Sequence, residues 1–164
     1  MKTGYFGDGA VTHEELLRDL AADLRLPPST TGTCGGVTMH ASLGSAWLER
    51  GCPQADVLTV RGSHTKQEVA IYEVKANRAD WLKEMRSGKW EHYLPFCHRL
   101  LFATPRGLIT RDELPPGCGW ITRREAGGWS TVVTGERRED SCWARDAYSL
   151  CCRECWREAL GGKL

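Results

Sequence analysis

The sequence predicts one α/β domain with a mixed sheet. Three observations carry that prediction. Helix-like and strand-like segments alternate along the chain. The best strand pattern, residues 68–75, is followed at once by a capped helical segment, a second apolar strand and a hairpin, an order that suggests a mixed sheet. The length, 164 residues, suits a single domain, and 41% hydrophobic with 26% charged residues can form one core and argues against wholesale disorder.

Taken in order, residues 1–11 read as a flexible Gly-containing start. Thr12-His13-Glu14-Glu15 has the form of a capping box, and Leu16, Leu17, Leu20 and Leu24 follow at helical spacing until Pro27-Pro28. Residues 29–36 are loop by composition. Ser45–Glu49 and Ala55–Arg61 are short strand candidates around Gly51-Cys52-Pro53, and Gly62–Thr65 is a turn. Glu68–Lys75 is rich in β-branched and aromatic residues and is the strongest strand. Asn77 can cap a helix over Arg78–Arg86, Ser87-Gly88 breaks it, and Lys89–Leu94 can add a turn or two of helix before Pro95. Arg99–Ala103 is a buried strand, and 105–119 is a Pro- and Gly-rich loop with short regular pieces. Trp120–Arg123 and Trp129–Thr134 form a hairpin around Gly127-Gly128. The Cys-rich tail, 135–164, is helical by pattern from about Asp140 to Leu160.

Charge excludes one function class. Lys and Arg total 22 against 21 Asp and Glu, a net charge of +1, so a polybasic tail protein is ruled out while a local basic face is still allowed. No apolar run approaches a bilayer span, and Met1-Lys2-Thr3-Gly4 lacks a signal-peptide core, so the expected location is cytoplasmic, with no membrane partner. The eight cysteines then read as thiols or metal ligands before disulfides.

The residues most suggestive of chemistry are Asp56, Glu73 and Lys75. Glu73 and Lys75 are two apart on one strand and share a face. Asp56 opens the preceding strand, so pairing through the turn at 62–66 brings the two carboxylates to one sheet edge. Carboxylates held close repel unless a cation lies between them, and oxygen ligands of this kind suit Mg²⁺ or Mn²⁺. Lys75 beside such a centre could orient water or stabilise charge on an attacked phosphate. Acidic and basic residues on a half-exposed strand are, equally, ordinary surface residues.

The blocks around these residues are more specific. Ala55-Asp56-Val57-Leu58, Tyr72-Glu73-Val74-Lys75 and Arg78-Ala79-Asp80-Trp81 resemble the PD-(D/E)XK nuclease superfamily, and more narrowly its MmcB-like DNA-repair group. The likeness continues through Gly88–Arg99, Leu101–Pro105 and Leu114–Ile121, and spans about residues 45–122. It implies a restriction-endonuclease-like αβββαβ core, here with a C-terminal helix added. It also implies Asp56, Glu73 and the Val74 carbonyl as Mg²⁺ (or Mn²⁺) ligands, Lys75 as the catalytic lysine, and Glu49 or Glu15 as a third carboxylate. Ala55 stands where the superfamily's proline would be. The implied activity is Mg²⁺-dependent hydrolysis of DNA phosphodiester bonds in repair or phage–host DNA processing, with DNA as partner and a homodimer as a candidate assembly. The alternative is a catalytically silent nuclease fold that binds nucleic acid or a protein.

Lys89, Arg78, Lys83 and Arg86 are the candidate phosphate contacts, Lys89 foremost. Trp81, Trp90 and Tyr93, interleaved with them, read as core before base-stacking platforms. His92 and His98 read as structural. Cys34 with Cys142, Cys152 and Cys155 could hold zinc or an iron–sulfur cluster, although the tail cysteines also suit an apolar helix face, and no metal there is the expected outcome.

Overall fold

The computed structural model describes residues 11–24, 37–40, 55–61 and 68–139. The elements in chain order are α1 (His13–Asp23), β1 (Val37–His40), β2 (Val57–Arg61), β3 (Glu68–Val74), α2 (Arg78–Ser87), a 3-10 helix (Lys89–Phe96), β4 (Arg99–Thr104), a 3-10 turn (Arg111–Glu113), β5 (Gly119–Arg123) and β6 (Trp129–Val133). The αβββαβ order is present, followed by a β-hairpin. The strands form a six-stranded sheet in sequence order, in which β3–β4 and β4–β5 are parallel and the other pairs antiparallel.

Local chemistry explains the elements. Thr12 and Glu15 close a capping box at the start of α1. The Asn77 side chain accepts from the Asp80 N–H and starts α2, and Gly88, at φ 64°, ends it in the left-handed conformation that glycine adopts freely. That reset is why residues 89–96 wind separately, as a tight 3-10 helix that runs through Pro95, past the Leu94 end expected for these helical turns. At the β4–β5 contact only glycine fits: a Cβ on Gly119 would lie 2.8 Å from Leu101 Cγ and 2.9 Å from the Thr134 carbonyl oxygen.

Val37–His40, not anticipated from the sequence, is the strand beside β2. Four residues are too few to express a period. The candidate strand Ser45–Glu49, the flexible start over residues 1–10 and the tail helix lie outside the described residues.

The sheet is covered on both faces. Leu16, Leu17 and Leu20 of α1 pack with Ala70, Tyr72, Val74, Leu101 and Ala103 on one side. On the other, Trp81, Tyr93 and Phe96 pack with Val69, Ile71, Leu100 and Phe102, the Trp81 and Phe102 rings meeting edge to face at 5.0 Å. Strand alternation therefore sends Glu73 into the α2 side. His98 is structural, as expected: its Nδ1 accepts from the Val69 N–H at 2.9 Å, and its backbone N–H donates to the Val69 carbonyl at 2.8 Å. Burial, then the neighbouring Arg137, pulls its pKa below the usual value, which keeps Nδ1 free to accept.

Candidate active site

The C-terminal end of β3, the residue before β2, the first turn of α1 and the inner face of α2 meet at one cleft of about 330 Å³. It is lined by His13, Asp56, Glu73, Val74, Lys75, Asp80, Lys83, Glu84, Ser87 and Lys89. Pairing of Val57 with Tyr72 puts Asp56 one step along, level with Glu73. Asp56 Oδ2 accepts from the Val74 N–H at 2.8 Å and lies 3.2 Å from His13 Nε2.

Glu73 is 2% exposed. Its Oε1 accepts from Lys75 Nζ at 2.9 Å, and Lys89 Nζ stands 3.9 Å away. The Tyr93 hydroxyl hydrogen-bonds the same carboxylate. Glu73 Oε2 is buried and, among the described residues, has no hydrogen-bond partner. Lys75 Nζ also donates to Glu84 Oε2 at 3.1 Å, while its backbone N–H donates to the Ala103 carbonyl and continues the β3–β4 ladder past Val74.

The electrostatics follow from burial and acid excess. Burial first, then the charge of Asp56, pushes the Glu73 carboxyl up, and Lys75 and Lys89 only partly offset this. For Lys75 burial works against the ammonium, but Glu73 and Glu84 together outweigh it and raise its pKa. Burial, with Glu73 next, drives the Tyr93 phenol upward, so it stays a neutral donor.

A protein-family model described as "DNA repair protein MmcB-like" matches residues 36–142, more than half of the chain. The chain belongs to the MmcB-like family. No curated protein and no solved structure matches it. The MmcB-like match takes in β1 through β6 and so every strand of the sheet, beginning earlier and ending later than the 45–122 resemblance. It covers Asp56, Glu73, Lys75 and all of α2, while His13 lies before it. No helix among the described residues is long and apolar enough to cross a membrane.

Of the residues singled out in the sequence, Asp56, Glu73, Val74, Lys75, Lys83 and Lys89 come together in the cleft. Glu15 does not line it: its carboxylate accepts from the Thr12 N–H at 2.8 Å and the Thr12 hydroxyl at 2.9 Å within the capping box. Arg78 also lies elsewhere, donating to Glu113 and to the Leu108 carbonyl, and Arg86 Nε donates to the Leu82 carbonyl. Glu49, Cys34, Cys142, Cys152 and Cys155 fall outside the described residues. Trp81 and Tyr93 are core, and Trp90 packs against it.

Sequence reasoning missed His13, Asp80, Glu84 and Ser87 as cleft residues. Glu84 carried a readable signal. It falls three residues after Trp81, on the inward stripe of α2, where an apolar side chain is the norm, and a charge on that stripe marks a special site. His13 carried none, because its approach to Asp56 spans 43 residues of sequence.

Proposed function

We propose that this MmcB-like protein is a divalent-metal-dependent nuclease acting on DNA, with Asp56, Glu73 and Lys75 at its centre. One observation carries the reading. Glu73 Oε2 is a buried carboxylate oxygen with no partner among the described residues, in a cleft shared with the Asp56 carboxylate. A buried, unsatisfied acceptor beside a second acid is unfavourable for folding alone and is relieved by a cation. The donor set therefore fits a hard divalent ion. Among the described residues no group of three His, Cys, Asp or Glu side chains is placed to hold a metal ion together, so the protein's share would be Asp56, Glu73 and the Val74 carbonyl. That small share suits Mg²⁺, which keeps several waters, or Mn²⁺. When bound, such an ion polarises a phosphate and makes nearby water more acidic.

The chain's own residues supply the rest. The Val74 N–H holds Asp56 in register with Glu73. Lys75 is an ammonium with three N–H donors, two of them taken by Glu73 and Glu84. The third can orient an attacking water or meet charge developing on the phosphate. Lys89, whose Nζ also sits 5.6 Å from the centre of the Tyr93 ring, and exposed Lys83 offer cations for the flanking phosphates. Arg78 is set aside for this role by its pairing with Glu113.

The test is cleavage of plasmid, linear duplex and single-stranded DNA with Mg²⁺ or Mn²⁺. Wild type should cut; Asp56→Ala and Lys75→Ala should not. Cutting at equal rates by all three proteins would reject the assignment. Retained DNA binding without divalent-ion affinity in calorimetry would favour the silent, DNA-binding alternative.

A further inference from the structure

Lys75 meets two carboxylates, and only Glu73 stands level with Asp56. Glu84 reaches the same Nζ from α2, at 3.1 Å against 2.9 Å for Glu73. Glu84 is 5% exposed, and its Oε1 is buried with no hydrogen-bond partner among the described residues. Its place is set by packing and not by the cleft. Asn77 fixes the first turn of α2, and Trp81 anchors the inward face against Phe102 one turn before Glu84.

A buried trio of two acids and one base is a poor choice for stability, because the second acid leaves uncompensated charge in the interior. It is a sound choice if one acid is needed elsewhere. A cation taken up at Glu73 would weaken the hold of that carboxylate on Lys75 and repel the ammonium as well. The lysine side chain, a point charge on a flexible four-carbon stem, would then have no fixed direction. We infer that Glu84 is a positioning residue: it keeps Lys75 Nζ aimed into the cleft while Glu73 serves the cation. The inference rests on the nuclease reading, and it assigns to α2 the task of aiming the catalytic ammonium.

The test follows the Lys75 ammonium in the full chain by ¹⁵N NMR, with and without Mg²⁺, in wild type, Glu84→Gln and Glu84→Asp; Lys75→Met identifies the signal. In wild type the Lys75 signal should persist when Mg²⁺ is added. In Glu84→Gln it should be visible without Mg²⁺ and broaden away with it. Cleavage by Glu84→Gln should fall about 10–100-fold, the usual effect of removing an outer-shell partner. The fall should appear in kcat, with KM for DNA little changed. Glu84→Asp, which keeps the charge, should recover part of both, and it carries the measurement should Glu84→Gln fail to fold. An unchanged signal and kcat in both variants would overturn the inference. So would loss of Mg²⁺ affinity in Glu84→Gln, which would make Glu84 a ligand. If Mg²⁺ shifts no Asp56 or Glu73 resonance in wild type, the nuclease reading itself fails and the inference falls with it. If those resonances shift while Glu84 variants behave as wild type, only the inference fails.

Discussion

The two ends of β3 carry the same kind of contact with opposite results. At its start, Glu68 accepts from Arg99 at 3.0 Å; at its end, Glu73 accepts from Lys75 at 2.9 Å. Each contact lines a cleft, about 360 Å³ at the start and about 330 Å³ at the end, so size does not separate them. Charge balance and burial do. Around Glu68 the cations Arg99 and Arg137 face the acids Glu68 and Glu139, and the Glu68 and Arg99 side chains are 26% and 21% exposed. Around Glu73 the acids Asp56 and Glu84 are added against Lys75 and Lys89, and the Glu73 side chain is only 3% exposed. A balanced, half-wet pair is explained by structure alone. An acid-rich, dry one asks for a further cation.

The comparison breaks hardest at Lys75. Lys75→Met leaves Glu73 and Glu84 buried without their base, so it should destabilise the fold by about 3–5 kcal/mol near neutral pH. Cleavage should drop by about 10²–10³-fold or more, as when a group that stabilises transition-state charge is removed. The pH sign follows from Glu73, whose folded pKa already lies above its ordinary value because of burial and Asp56. A raised acid binds its proton more tightly when folded, so stability grows as pH falls through that folded pKa. Urea denaturation should therefore show the Lys75→Met deficit shrinking from about pH 8 toward about pH 5. A deficit that widened in acid would contradict the buried-acid account.

Next in size is the response to a divalent ion. Saturating wild type at 100 times its Kd should stabilise it by about 2.7 kcal/mol. Glu73→Gln should lose that response and the cleavage with it. Without metal, the same variant should be at least as stable as wild type, because it removes a carboxylate whose charge burial and Asp56 disfavour while Glu84 still holds Lys75. Thermal melts with Mg²⁺, Mn²⁺ and EDTA read both effects. A Glu73→Gln protein less stable than wild type in EDTA would mean that Glu73 serves the fold and not a cation.

Much of this was legible in the chain. The Thr12–Glu15 capping box, the Glu68–Val74 strand and the Asn77 cap are local features, written within a few residues, and each is present. Asp56, Glu73 and Lys75 could be brought together because strand parity and the antiparallel pairing of two successive strands decide the matter. What stayed hidden depends on distance or on packing. His13 reaches Asp56 through the placement of a whole helix, and the contact of Glu84 with Lys75, as distinct from its inward place on α2, depends on how that helix packs. Cys97 and Cys118, outside the cysteine set weighed as ligands, are core residues: Cys97 donates to the Tyr93 carbonyl, and burial pushes the Cys118 thiol up to about 11, away from reactivity.

A smaller change sharpens the role of α2. Asn77→Ala removes the side chain that accepts from the Asp80 N–H, a loss worth about 1 kcal/mol of stability. The substitution also removes the Asn77 Nδ2 donor to the cleft-lining Asp80 carboxylate, and it frees the first turn of the helix that carries Glu84. Cleavage should fall in kcat while Mn²⁺ affinity by calorimetry is kept. Equal losses of both would mean that the helix start shapes the whole cleft and not the Glu84–Lys75 contact alone.

The smallest effect belongs at the other end of β3. Glu68→Gln removes one member of a partly exposed pair, and such pairs contribute about 0.2–1 kcal/mol. The two Val69–His98 hydrogen bonds beside it are unaffected, so the strand keeps its register. Because the pair is near solvent, its contribution should shrink further in about 1 M salt, where charges are screened within a few ångströms. Cleavage and the divalent-ion response should match wild type. This variant decides whether the two ends truly differ: if Glu68→Gln impaired cleavage as Glu73→Gln does, acid excess and burial would no longer mark the site, and the 360 Å³ cleft would have equal claim to the chemistry.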